Sequence, residues 1–307
     1  MNSFSTRLKI RLIKLVLTTL SRLSLRNCHR VGSAIGQLAY LVKGKSRRIT
    51  EKNIQLCFPQ LDSTSQQTLV HQSLLETGKT LAEAGPMWLW NKDRLFSLIK
   101  KVHGEDRVQK ALQQNKGVII ALPHLGNWEL LGLYCSANYP TTSLYRVPRM
   151  AQLDTIVKTG RERLGAKLVP TNNQGIRALY KALRDNELTC ILPDQEPPGD
   201  KGNGVFAPFF GIQTYSMTLL SRLAQKTQAD IIIGYTKRLP GGKGYEIFFD
   251  GLAEDAMNQA HPPSLEASVT VLNAGLEKSI RKIPEQYQWG YKRFRTRPQG
   301  EEEFYND

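Results

Sequence analysis

This chain has little that would staple it shut or load it with a cofactor. Cys28, Cys57, Cys135 and Cys190 lie far apart, with no C-x2-C pair and no metal-ligand spacing to the five histidines. Neither a disulfide framework nor a zinc site is expected, and buried thiols in a reducing compartment are the simplest reading. No G-x-G-x-x-G or G-x4-G-K-S/T run appears, so the usual phosphate cradles of nucleotide cofactors are missing and no cofactor is expected. Within residues 7 to 26 the longest uncharged run, Leu15 to Ser21, is far shorter than the ~20 residues needed to span a bilayer. Acids are scarce too: 27 Asp and Glu against 42 Lys and Arg give a net charge of +15. That excess favours a polyanionic partner, such as nucleic acid, an anionic membrane, an acidic protein or a phosphorylated lipid. With 307 residues, 40% of them hydrophobic, the chain can bury a sizeable core and shows no composition of disorder or repeats.

What is present centres on Gly117 to Glu129, where an apolar run delivers His124 and, five residues later, Glu129. The run reads as a buried strand stopped by Pro123, followed by a turn at Gly126 and Asn127 and a helix from Trp128. A turn followed by a first helical turn can bring Glu129 back toward the imidazole. A neutral imidazole accepts a proton from a hydroxyl, and a carboxylate on its other ring nitrogen fixes the tautomer. The pattern contains no serine or cysteine nucleophile, so the attacking group would be the substrate's own alcohol. The plainer reading leaves His124 an ordinary strand-end histidine and Glu129 an acid complementing the helix N-terminus.

His124-Leu125-Gly126-Asn127-Trp128-Glu129 resembles the H-x4-D/E block of the lysophospholipid-acyltransferase superfamily, specifically the bacterial late lipid A acyltransferases. Asn53 to Pro59, Tyr145-Arg146, Ile191 to Gln195, Val205 to Gly211 and Tyr291 to Pro298 resemble further family blocks, in order, across nearly the whole chain. Many relatives carry Asp where Glu129 stands. The resemblance implies an O-acyltransferase moving a fatty acyl chain from acyl carrier protein to a hydroxyl of a lipid A precursor, with His124 as general base and Glu129 as its partner. It also implies acceptor binding by Asn127 and Arg146, with Asp194 supporting the cleft; Arg161, near the end of an amphipathic helical stretch, is a second choice for lipid phosphate. Read without the resemblance, Arg146 is a solvated strand-end arginine, Arg161 complements a helix C-terminus, and Asp194 is a turn former. Backbone donors of the glycine-containing turn are expected to stabilise the oxyanion. An acceptor that is a glycerophospholipid or another glycolipid fits the same dyad, and a non-catalytic basic membrane or nucleic-acid-binding protein would need no dyad at all.

Residues 7 to 26 set Arg7, Arg11, Lys14 and Arg22 opposite a leucine-rich face, with Lys9 as a blemish. This predicts an amphipathic helix lying on an anionic membrane rather than crossing it, and leaves the rest at the cytoplasmic face of the inner membrane. Charges inside the apolar stretch and the lack of a small-residue cleavage site argue against a signal peptide. The basic run Lys292 to Arg297 suggests membrane or carrier-protein binding; nucleic acid is not expected, since no fold signature accompanies the charge. Phe206, Phe209 and Phe210 fit either an acyl groove or core packing. The alternation of strand and helix patterns after the dyad predicts an α/β fold of lysophospholipid-acyltransferase type, a mixed sheet flanked by helices. We divide it into a membrane-associating helix at 1–30, a helical region packed on the core at 31–105 and an α/β core at 106–307, with no sharp linker between them.

Overall fold

The computed structural model describes residues 4–148, 151–197, 202–252 and 264–305. Four helices come first: α1 (Phe4–Arg22), α2 (Leu25–Val42), α3 (Lys45–Cys57) and the long α4 (Ser63–Leu89), followed by the short α5 (Lys92–Phe96). The single helix predicted over 7–26 breaks after Arg22, because Ser24 takes extended backbone and its hydroxyl accepts from the Asn27 N–H to start α2. Both α1 and α2 pack on α4. The α2–α4 crossing is backbone to backbone: a Cβ on Gly36 would sit 2.2 Å from the Leu74 carbonyl oxygen. Among the described residues no helix is long and apolar enough to cross a membrane.

The remainder is the expected mixed α/β arrangement. Strands β1 (Ile99–His103), β2 (Val118–Ala121), β5 (Leu188–Ile191), β8 (Asp230–Arg238) and β9 (Tyr245–Gly251) form one sheet in the order β1-β9-β8-β2-β5. β2 runs parallel to both neighbours, whereas β8 and β9 are antiparallel. A central parallel strand is covered on both faces, which is why its sequence is a continuous apolar run. Ile119 and Ala121 enter the larger hydrophobic core, and Val118, Ile120 and Leu122 enter a second one on the opposite face. Helices α6 (Glu105–Gln113), α7 (Trp128–Asn138), α9 (Asn173–Arg184), α10 (Leu219–Thr227) and α11 (Leu265–Lys282) provide the cover. A separate parallel pair, β3 (Thr142–Tyr145) and β4 (Lys167–Pro170), flanks α8 (Ala151–Glu162) in sequence.

A hairpin of β6 (Gly204–Phe209) and β7 (Ile212–Met217) occupies the aromatic block. Phe210 and Gly211 form its two-residue loop, both with positive φ, at 52° and 77°. Such turns favour Asn-Gly, and a phenylalanine there is held by its surroundings: its ring packs on Phe58 and Trp289, and its N–H donates to Glu277. Phe209 and Phe210 are thus core residues rather than the walls of an acyl groove.

Candidate active site

β2 ends at Ala121, and Leu122-Pro123 carry the chain to His124 at the sheet's carboxyl edge. The turn from His124 to Asn127 is bolted down by its own backbone. The N–H groups of His124, Leu125, Gly126 and Asn127 donate to the Asp194 carboxylate, the Pro123 carbonyl, the Gln286 carbonyl and the Thr236 hydroxyl, at 2.9, 2.7, 3.0 and 2.6 Å. Gly126 has φ +64°, and a Cβ there would lie 1.7 Å from the Thr236 carbonyl oxygen, so only glycine fits. These donors are all engaged, which corrects the expectation that the glycine-containing turn offers its amides to an oxyanion.

The larger correction concerns the partner of His124. Nδ1 of the ring is 2.9 Å from Asp194 Oδ1, and the other Asp194 oxygen takes the His124 backbone N–H. An ionised carboxylate only accepts, so Nδ1 carries a proton, and in the neutral tautomer this fixes, Nε2 is the nitrogen with the free lone pair. Asp194 is 2% exposed. Burial pushes its carboxyl upward, but the imidazole charge and both hydrogen bonds outweigh this and hold it below the ordinary carboxylate range. Nε2 faces the Gln195 side-chain amide at 3.4 Å, which also donates to Gln288 Oε1 at 3.3 Å. The ring stands edge-on to Trp128, with centroids 4.9 Å apart.

Glu129 turns elsewhere because a closer cation claims it. Arg161, from α8, grips the carboxylate with two guanidinium nitrogens, Nε at 2.9 Å and Nη2 on the other oxygen, and Trp88 of α4 donates its indole N–H at 3.2 Å. Burial raises the Glu129 carboxyl, yet Arg161, Trp88 and the His124 charge together bring it below its ordinary value. Glu129 therefore feels His124 electrostatically while its hydrogen bonds go to α8 and α4. The tryptophan at 88 contributes to the site and not merely to packing.

Asn127 caps α7: its Oδ1 accepts from the Leu130 N–H and its Nδ2 donates 2.8 Å to Glu83. Glu83, 1% exposed, also receives Arg238, His29 and the Tyr245 hydroxyl, making an ionic knot beneath the site. Burial raises Glu83, but Arg238 and His29 overcompensate and lower it to about 2. Arg146 is exposed just beyond β3. The closing basic run is engaged within the protein: Arg293 is buried and donates to the Tyr215 carbonyl and Ser216, while the exposed Arg295 pairs with Glu196 and Arg297 pairs with Glu301.

Two cavities meet at Trp128 and Glu129. One runs between α7, the β3–β4 pair and β5, walled by Leu122, Leu133, Leu144, Leu168 and Leu192 with Arg161 among its lining. The other lies along α4, between Thr80, Leu81, Ala84 and Trp88 on one side and Tyr287 and Gln288 on the other. Trp128, whose ring packs on His124, lines both cavities, so one base stands next to two largely apolar spaces, an arrangement that suits the joining of an acyl group to an alcohol.

Comparison with known proteins gives that chemistry a family. Residues 6–296 match the model described as bacterial lipid A biosynthesis acyltransferase. The chain is 29% identical to a lipid A biosynthesis palmitoleoyltransferase of Escherichia coli strain K12, over 90% of this chain and 87% of that protein. It is 27% identical to the lauroyltransferase of the same strain, over 89% and 86%, and 22% identical to its myristoyltransferase, over 87% and 80%. The match spans the dyad strand, the Asp194 loop and the helices before them, and the chain belongs to the bacterial lipid A biosynthesis acyltransferase family.

Proposed function

We propose that this protein carries out a late acylation of a lipid A precursor, moving a fatty acyl chain from acyl carrier protein to a hydroxyl group at the cytoplasmic face of the inner membrane. One observation carries the reading: Asp194 engages Nδ1 of His124, and the ring packs on Trp128, which lines both cavities. Nε2 takes the acceptor's hydroxyl proton as its oxygen attacks the thioester carbonyl, and the imidazolium returns that proton to the departing thiolate. Asp194 stabilises the transient imidazolium. The Gln195 amide, 3.4 Å from Nε2 and held by long contacts to Nε2 and Gln288, is the candidate donor to the oxyanion once it swings away from them.

The leucine-lined cavity suits the donor chain and the α4 groove suits the acceptor. Glu129 supports His124 by charge and holds Arg161 at the cavity, where that guanidinium is partly exposed and able to meet an acceptor phosphate; Arg146, exposed just beyond β3, is the other candidate cation. Acyl carrier proteins are acidic, which fits a chain of net charge +15. The test is mass spectrometry of lipid A from cells lacking the gene, complemented with wild type or His124→Ala. One acyl mass missing from the deletion, restored by wild type and not by the variant, is the expected result. An unchanged lipid A profile with altered glycerophospholipids would overturn the acceptor assignment.

A further inference from the structure

Helix α2 is amphipathic the wrong way round for a helix that only packs on protein. After Leu25 at its start, the buried side holds Cys28, His29, Gly32 and Gly36, small or polar, while Val31, Ile35, Leu38, Leu41 and Val42 are exposed. Leu38, Leu41 and Val42 are 62, 64 and 67% exposed. Val31, Ile35, Leu38 and Val42 follow the i, i+4, i+7, i+11 spacing of one continuous stripe. The stripe is part of a larger concentration. Of twelve large apolar side chains exposed among the described residues, eleven lie on α1, α2 and α4, the exception being Val147. Isolated exposed leucines need no explanation, whereas a concentration of this kind marks a surface with a partner.

The charge beside the stripe selects the partner. The first fifty residues contain eleven Lys and Arg and no acid, Glu51 being the first. Arg26 and Arg30 are exposed on α2 itself, and Lys43 and Arg48 just beyond it. A second copy would set like charges face to face, while anionic headgroups meet both the cations and the apolar stripe. Leu81, exposed on α4, also lines the groove leading to Trp128 and Glu129, so a surface seated there opens toward the site.

We infer that α2, and not α1 alone, seats the enzyme on an anionic bilayer by burying the Val31–Ile35–Leu38–Val42 stripe among the lipids. This rests on the membrane reading proposed above and goes beyond it in naming the second helix as the seat. The experiment uses the full chain and vesicles of phosphatidylethanolamine and phosphatidylglycerol. Ile35→Gln, Leu38→Gln and Val42→Gln together should lower vesicle partitioning by about tenfold or more, leave the unfolding midpoint close to wild type, and preserve transfer to detergent-dispersed acceptor. An environment-sensitive dye at Leu38→Cys, the native cysteines being buried, should shift to the blue on vesicles. Equal partitioning of the triple variant, or no dye shift, would overturn the inference, as would a wild-type dimer that the triple variant turns into monomers. Loss of transfer in detergent by wild type itself would instead strike the acyltransfer reading and leave the vesicle result standing.

Discussion

Asp194 holds His124 at two points, the ring Nδ1 and the backbone N–H, each at 2.9 Å. Asn at 194 keeps the shape but has one accepting oxygen for two donors and no charge for the imidazolium. Asp194→Asn should lower kcat on the order of 10²–10⁴-fold with a much smaller change in KM, because the lost interaction matters when the ring is charged. Steady-state kinetics with circular dichroism on the same sample checks it; a fall confined to KM would refute the orienting role.

Glu129 and Arg161 form one unit, so their substitutions should not add. Glu129→Gln and Arg161→Gln should each impair transfer, and the double variant should be little worse than the more damaged single one. The measurement is a double-mutant cycle on kcat/KM. Full additivity would show that the two residues act separately.

Gly132 lines the leucine-walled cavity, and a Cβ built there meets nothing within 4 Å. Gly132→Ala should stabilise α7 by roughly 0.5–1 kcal/mol through helix propensity. Gly132→Leu should project into the cavity and shift preference toward shorter acyl donors. Competition between donors of different chain length, read by product mass, tests the assignment of this cavity; an unchanged preference would move the acyl chain elsewhere.

The Glu83 knot predicts a pH dependence of stability. A carboxylate lowered from 4.5 to about 2 contributes stability that is fully present above pH 4.5 and lost as pH falls toward 2. Glu83→Gln leaves Arg238 with a diminished set of partners at 3% exposure, and breaking such a buried pair costs about 3–5 kcal/mol. The gap between wild type and Glu83→Gln in denaturant unfolding should be largest at neutral pH and narrow below pH 4.5. A gap independent of pH would mean that the charge is not what matters.

The sequence by itself determined the pieces whose causes are local. The apolar run before Pro123 makes β2, Gly126 satisfies the positive φ of the turn, Asn127 caps α7, and the N-terminal cations and leucines make helices. Each rests on backbone preference or on neighbours within a few residues. The family block Ile191 to Gln195 likewise singled out Asp194.

Which carboxylate reaches which cation was decided only by tertiary structure. Asp194 lies 70 residues from His124, and Arg161 lies 32 from Glu129. The H-x4-E spacing brings Glu129 near the ring, but β5 delivers Asp194 to Nδ1 and α8 brings a stronger cation to Glu129. A side chain bonds to whatever the fold sets within about 3 Å, and spacing along the chain does not encode that. The β6–β7 hairpin escaped notice for a similar reason, its Phe210-Gly211 turn being held by Phe58, Trp289 and Glu277 from distant segments. The inversion of α2 is also tertiary: its glycines face inward because α4 passes at backbone contact, and that leaves its large apolar side chains outside.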